Sequence, residues 1–491
     1  MTSSFRPILV LALFASIATP ARAAGPLRVL STNPRYFTDG SGKAVYLTGS
    51  HTWDNLAEIV RSPSVPNPVV DYNAYLAFLA AHHHNFFRLW TWESAAEMDD
   101  AGAIKYRYSP LPYQRPGQGT ALDGLPKFDL TLFNAAYFER MRQRVMAARD
   151  YGMYVSVMLF QGFSLNPKGH DNPWKGHPFN AENNINGIDG DPTHTGAGLA
   201  THSLSIPSIT ALQEAYVRRV IDEVNDLDNV LYEITNEDEG SPQNTAWQVH
   251  MIRYIKAYER GKPQQHPVGM TVQWPKGSNA ALFTSGADWI SPNDADGYQT
   301  DPPAADGRKV IINDTDHSFY YTALQQAGPA AQRAWAWKNL ARGNQTLFMD
   351  PYLDPTPWYV TTRNHPAGSA PDPYWETLRS AMGDTRVYAD RMNLAAMIPH
   401  NALSSTAYCL ADPGHEYLVY QPAEGAFTVN LPAGIYSYEW FNPAIHTVAS
   451  SGTFTAATGD RSFTPPFQGD AVLYLTMTET KVERSDDHGK R

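Results

Sequence analysis

At 491 residues the chain is too long for one small core and calls for a large domain with a smaller companion. Hydrophobic residues make up 43% and charged residues 18%, which excludes an intrinsically disordered chain. A formal net charge of −11 leaves no basic field to gather phosphates, so nucleic acids and anionic membrane surfaces are excluded as partners.

The first 23 residues carry Arg6, an apolar run from Ile8 to Ala18, and then Ala21-Arg22-Ala23, the small-x-small pattern of signal cleavage. We read a secretory signal cut after Ala23. The apolar run is shorter than the roughly 20 residues needed to span a bilayer, so it is not an anchor. Export to a bacterial periplasm or exterior is expected. The single cysteine, Cys409, excludes an intramolecular disulfide framework and reads as a buried, inert thiol.

Eight short apolar runs follow, at 44–49, 85–90, 154–160, 230–235, 267–272, 288–292, 309–313 and 346–350, with helical stretches between them. This alternation predicts a parallel sheet wrapped by helices, and eight strands close a (β/α)8 barrel over residues 24–400. Residues 134–152 and 208–229 have apolar positions at helical spacing, and Gly152 ends the first of them. The stretch 335–343 reads as the helix between strands seven and eight, with Trp335 near the site and Trp337 at the pocket or in the core. The long stretch 161–207, rich in Gly, Pro, Asn and His, follows strand three on the face where barrels build their sites, so it is expected to form a pocket wall and to favour action at chain ends. Beyond residue 400, alternating strands separated by Pro, Gly and Asn turns predict a small all-β sandwich over 401–478. The charged tail 479–491 reads as disordered.

Strand four ends in "YEITNEDEG", and its edge raises a choice. Asn236 or Glu237 either caps the next helix or faces a ligand. Strand seven ends in "INDTDH", which sets Asp314 across the mouth from Glu237. Two facing carboxyls are what glycosidic bond cleavage requires: one protonates the leaving oxygen, and the other attacks the anomeric carbon or activates water. Asp316 is the reserve for the second carboxylate. Asp314, Asp316 and His317 also have ligand chemistry, so a metal site is the competing reading of that tract. Arg88, at the end of strand two, would hold the anionic partner while Glu237 keeps a raised pKa. Twelve Trp and 27 Tyr residues fit flat faces against sugar C–H surfaces, although most aromatics are core. His51, Trp53 and Asp54 after strand one, Trp90, Trp92 and Glu93 after strand two, Trp274 after strand five, Asn293 and Asp294 after strand six, and Asp316 and His317 after strand seven are the remaining candidates for the sugar subsite. Glu233, inside strand four, needs a cationic or hydrogen-bonding partner and is structural. His82, His83 and His84 precede strand two and so lie at the opposite, stability face.

These motifs resemble the clan A glycoside hydrolases. "VYLTGSHTWDNL", "HPVGMTVQW", "DWISPND" and "LFMDPY" are similar to the apiosidase-like and cellulase-like bacterial barrels. "LPAGIYSYEWFNP" followed by "FTPPFQGDAVLYL" resembles the small sandwich named collagen-binding in those proteins. The resemblance implies Glu237 as acid/base, Asn236 on the sugar 2-hydroxyl, Arg88 orienting the strand-seven carboxylate, retention of configuration, and no cofactor. One departure stands out: clan A places Glu after strand seven, and this chain has Asp314. That departure keeps open a carbohydrate-binding or adhesion protein on a barrel that has lost catalysis, beside a metal-dependent hydrolase.

Overall fold

The computed structural model describes residues 25–61, 70–274, 276–318, 321–353, 371 and 373–478. The expected signal segment 1–23 and tail 479–491 lie outside them. Eight parallel strands form one sheet: β1 Thr48–His51, β2 Phe86–Leu89, β3 Tyr154–Gln161, β4 Val230–Asn236, β5 Val268–Thr271, β6 Trp289–Ser291, β7 Val310–Asp314 and β8 Gln345–Met349. From β2 to β8 each pairs with the next strand in sequence, and β8 returns to β1. The seam between β1 and β2 is drawn together where the Asn85 N–H donates to the Thr48 carbonyl at 2.9 Å. Gly49 makes that approach possible, since a Cβ there would meet the Phe86 carbonyl oxygen at 1.9 Å. Seven of the eight strands fall on the apolar runs read from the sequence. The first begins later than expected, because Val45 instead bridges antiparallel to Phe37.

The helices α1 Tyr72–Ala81, α2 Ala135–Asp150, α3 Pro207–Val224, α4 Pro242–Glu259, α5 Asn279–Thr284, α6 Tyr321–Ala341 and α7 Glu376–Arg391 wrap the barrel. Local chemistry sets their ends. Asn134 caps α2 by accepting from the Ala136 N–H, and Gly152, at φ +72°, turns the chain out of it. Pro207 and Pro242 stand in the first turns of α3 and α4, where a missing N–H costs nothing. The core between sheet and helices gathers Val155, Val157, Val220, Ile221, Met251 and Ile255, all fully buried. Each such side chain contributes on the order of 1.5–3 kcal/mol. Among the described residues no helix is long and apolar enough to cross a membrane.

Two features are not simple barrel. A four-stranded antiparallel sheet, in the order Asp171–Asn172, Ala96–Asp99, Ile104–Ser109 and Glu58–Arg61, rises from the loops after β1, β2 and β3. After α7 come antiparallel sheets: six strands centred on Glu416–Gln421, Gly434–Asn442 and Ala471–Met477, and a two-stranded sheet of Phe427–Leu431 with Gly459–Phe463. The two sheets share a core that includes Val419, Val429, Phe463 and the buried Cys409. A further cluster joins this unit to the barrel helices, with Trp337 against Tyr388, Tyr420 and Phe441. Arg333 on α6 pairs with Asp470 at 2.8 Å across the same boundary.

Candidate active site

The barrel mouth is organised around Arg88. Its side chain is fully buried, and it can be ionised there only because carboxylates meet it. Nε donates to Glu233 at 2.8 Å and Nη2 forms an ion pair with Asp314 at 2.8 Å. Burial alone would lower its pKa, but Glu233 and Asp314 more than reverse that and hold the cation. Ser156 on β3 adds a hydroxyl to Glu233 at 3.3 Å. Glu233 thus has, through its Oε2, the cationic and hydroxyl partners that its position inside β4 demands.

Asp314 is fully buried. Besides the ion pair, its Oδ1 accepts the Asp316 N–H at 3.0 Å and its carbonyl accepts the Ser318 hydroxyl at 2.9 Å, so it fixes the turn that follows β7. That turn, Thr315–Ser318, carries Asp316 to the surface of a cavity of about 300 Å³. Glu237 lines the same cavity, and Asp314 does not.

Glu237 lies one residue past β4 at φ +53°, a left-handed backbone that costs a non-glycine residue about 1–2 kcal/mol. Such strain is retained where the fold forces it, here at the rim of a cavity. Neither Asn236 nor Glu237 caps the next helix: Ser241 does so, accepting from the Asn244 N–H at 3.2 Å. Burial raises the Glu237 pKa, and Lys168 and Arg88 pull it back. Asp316 is raised well above the usual carboxylate range by burial and by the charges of Glu237 and Asp314. Arg88 and a hydrogen bond from the Asn236 amide at 3.0 Å oppose that rise.

Asn236 links Asp316 to a longer chain of bonds. Its Oδ1 accepts the His317 Nε2–H at 2.7 Å, and His317 Nδ1 accepts the Ser291 hydroxyl at 2.8 Å. Burial keeps His317 neutral, well below its ordinary pKa. Asp314, Asp316 and His317 have donor atoms within 4.8 Å of one another, the one such cluster among the described residues. A cation there would compete with Arg88 or the Asp316 N–H for Asp314 and displace the hydrogen bond at one ring nitrogen of His317.

Trp53, Trp90 and Trp92 line the cavity with Met349 from the end of β8. His51 lies behind Trp90, stacked on it at 5.2 Å, with Nε2 accepting from Arg88 at 3.5 Å. Trp274 is 47% exposed and stands outside the cavity wall. Asn293 caps a short turn by accepting from the Ala295 N–H, with Asp294 inside that turn. Asp54 accepts the Thr52 hydroxyl at 3.2 Å, and burial pushes it up to about 6. Glu93 does not line this cavity: it receives His202 Nε2 at 3.0 Å and the Gln161 N–H at 2.7 Å. His202 in turn meets Asp238 at 2.6 Å, joining the loops after β2, β3 and β4. At the other end of the barrel, His82 pairs with Glu376 and His84 bonds the Arg379 carbonyl.

The remaining wall has two sources, the stretch 161–207, which was expected to form a pocket wall, and an inserted sheet that was not legible as such. Ile59, Glu97, Tyr106 and Tyr108 come from the inserted antiparallel sheet, and Phe163, Lys168 and Asp171 from the long stretch after β3. The alternation in "AEMD" and "IKYRYS" was the available signal for that sheet, but its partners are remote in sequence.

The family described as "Domain of unknown function (DUF6298)" matches residues 99–275, less than half of the chain. No curated protein matches. Solved structures similar to this chain include one described as a glycoside hydrolase, at TM-score 0.55 and 13% identity over 93% of this chain and 98% of that one. A candidate glycoside hydrolase from Bacteroides vulgatus superposes at TM-score 0.62 and 13% identity, over 93% and 83%. A glycoside hydrolase family 5 protein from the same organism gives TM-score 0.57 and 11% identity, over 93% and 94%. At these identities the likeness is one of fold: a barrel of eight parallel strands followed by antiparallel sheets.

Proposed function

We propose that this protein is a glycoside hydrolase in which Glu237 is the general acid/base and Asp316, rather than Asp314, is the second carboxylate. The observation that carries the reading is that Glu237 and Asp316 line one cavity walled by three tryptophans, while Asp314 lies beneath it in an ion pair with Arg88. Asp314 then takes the place of a positioning residue, holding the backbone of Asp316 and the guanidinium of Arg88. The Asp-for-Glu departure after strand seven is explained in the same way, since a carboxyl two residues later reaches the cavity.

Glu237 carries the proton to the leaving oxygen, a role that the upward push of burial on its pKa favours. Asp316, with the Asn236 amide donating to it, faces the developing oxocarbenium ion, whose positive charge counters the rise that burial and Glu237 impose on it and draws it to the carboxylate form. The indole faces of Trp53, Trp90 and Trp92 cover the apolar sides of the sugar. Retention of configuration is assigned on the clan A resemblance, and action at chain ends on the cavity walled off by the inserted sheet. Secretion rests on residues 1–23, with the barrel spanning 24–400. We assign the C-terminal unit, 401–478, a bracing role through Trp337 and the Arg333–Asp470 pair rather than collagen binding.

Turnover of a panel of aryl glycosides tests the reading. Wild type is expected to release the aryl group, and both Glu237→Gln and Asp316→Asn to lose release while remaining folded. Binding of sugars without turnover by wild type would favour the carbohydrate-binding alternative. Loss of turnover on adding a chelator would favour the metal at Asp314, Asp316 and His317.

A further inference from the structure

The two-carboxylate scheme leaves one wall of the cavity unused. Glu97, Lys168 and Asp171 line it beside Glu237 and Asp316, and Glu97 and Lys168 have the settings of ligand-binding groups. Glu97 stands on Ala96–Asp99 of the inserted sheet and is 6% exposed. Its Oε2 accepts the Tyr108 hydroxyl at 3.1 Å, and the Tyr108 ring stacks on Trp92 at 4.3 Å. The carboxyl is therefore held in place by an aromatic wall. Burial pushes it up to about 7; the Tyr108 bond opposes this, Asp171 adds to it, and Lys168 and Lys105 reduce it. The Tyr108 hydrogen bond offsets that burial only in part.

Lys168 lies on the stretch after β3, its ammonium 4.6 Å from the centroid of Phe163. Among the described residues it makes no ion pair within 4.0 Å, although its charge acts on both Glu97 and Glu237. An acceptor and a donor on one cavity wall, both steadied by aromatic rings, match the chemistry of two adjacent hydroxyls. A carboxylate on the ligand would instead face Glu97, Asp171 and Asp316, with Lys168 as the one cation of the lining among the described residues.

We propose that Glu97 and Lys168 are the specificity pair of this cavity, gripping neighbouring hydroxyls of a neutral sugar whose ring is also flanked by Glu237 and Asp316. The proposal deepens the glycosidase reading and rests on it for the ring's position. Hydroxyl-to-carboxylate bonds of this kind are worth roughly 10- to 100-fold in affinity.

The test uses the full chain, the neutral aryl glycoside that wild type turns over best, its monodeoxy analogues and the matching uronide. Glu97→Ala is expected to raise KM roughly 10- to 100-fold with a smaller change in kcat, and to erase the wild-type penalty for one deoxy analogue. Lys168→Ala should erase the penalty at the adjacent hydroxyl. Glu97→Gln, which can still accept from Tyr108, should fall between Glu97→Ala and wild type, and thermal melting checks that all three variants are folded. Undiminished discrimination in Glu97→Ala, or uronide turnover equal to that of the neutral glycoside, overturns the proposal. If folded wild type turns over no glycoside, the glycosidase reading fails. The same sugars are then compared by calorimetric binding, where equal affinity for wild type and Glu97→Ala overturns the pair and a loss in Glu97→Ala sustains it.

Discussion

Glu93, His202 and Asp238 bring two carboxylates and one imidazole together out of water, and a few residues away Glu237, Asp314 and Asp316 gather three carboxyls near one guanidinium. In the first group every charge has an opposite neighbour. Two carboxylates raise His202 to about 10 against its burial, and His202 and His177 lower Glu93 to about 2. The His202 ring also stacks on Trp247 at 4.2 Å with a 7° tilt. In the second group Arg88 is shared by Glu233 and Asp314, and Asp316 is left with an amide hydrogen bond and a raised pKa. Both groups pay for desolvation, but only the first recovers it within the protein. The imbalance lies where a substrate carrying developing positive charge could complete it.

The sharpest way to break this contrast is at the unbalanced group. Glu237→Gln should cut turnover of aryl glycosides roughly 10²- to 10⁴-fold, the usual worth of a general acid, with a melting temperature close to wild type. Asp316→Asn should do the same, whereas Asp314→Asn, which breaks a buried pair, should act on stability first, by about 3–5 kcal/mol in denaturant titrations. Equal stability losses at the two positions would erase the distinction drawn between them.

The balanced group should respond in the other currency. His202→Leu leaves Glu93 and Asp238 facing each other without a cation and should cost about 3–5 kcal/mol of folding stability, read by urea denaturation near pH 6. Its pH dependence has a definite sign. His202 is raised from 6.5 to about 10, so its contribution is complete below about pH 6.5 and is lost as pH rises toward 10. Glu93 is lowered from 4.5 to about 2, so its contribution is complete above about pH 4.5 and is lost as pH falls toward 2. The stability gap between wild type and His202→Leu should therefore be wider at pH 6 than at pH 10. A gap independent of pH would mean that His202 is not held as a cation.

The smallest effect tests the coupling of Lys168 to Glu237, the proposed acid. Lys168 pulls the Glu237 pKa down, so Lys168→Ala should move the alkaline limb of the kcat/KM profile to higher pH. An unmoved limb would detach Lys168 from Glu237.

What could be read from the chain varies with how local its cause is. The strands at β3, β4 and β7 are short apolar runs ended by polar residues, and α2 follows its cap Asn134 and stops just before the turn at Gly152, because burial and capping act over a few residues. The placement of Glu237 at a strand end followed from that reading. The roles of Asp314 and Asp316 did not: two carboxyls in "NDTDH" look alike in sequence, and which one faces the cavity depends on a turn fixed by Asp314's own hydrogen bond to the Asp316 backbone. Glu93 looked like a subsite residue until His202 and Asp238, more than a hundred residues away in sequence, were seen to enclose it.

The amino-acid sequence by itself determined the periodic burial that makes eight parallel strands, the helices that cover them and the acid at the end of the fourth, because each of these follows from contacts within a short window of chain. The tertiary structure alone decided which carboxyls are neutralised and which remain exposed to a ligand. A buried charge is priced by every group around it in space, and Glu97, Lys168, Glu237 and Asp316 reach the same cavity from four separate segments.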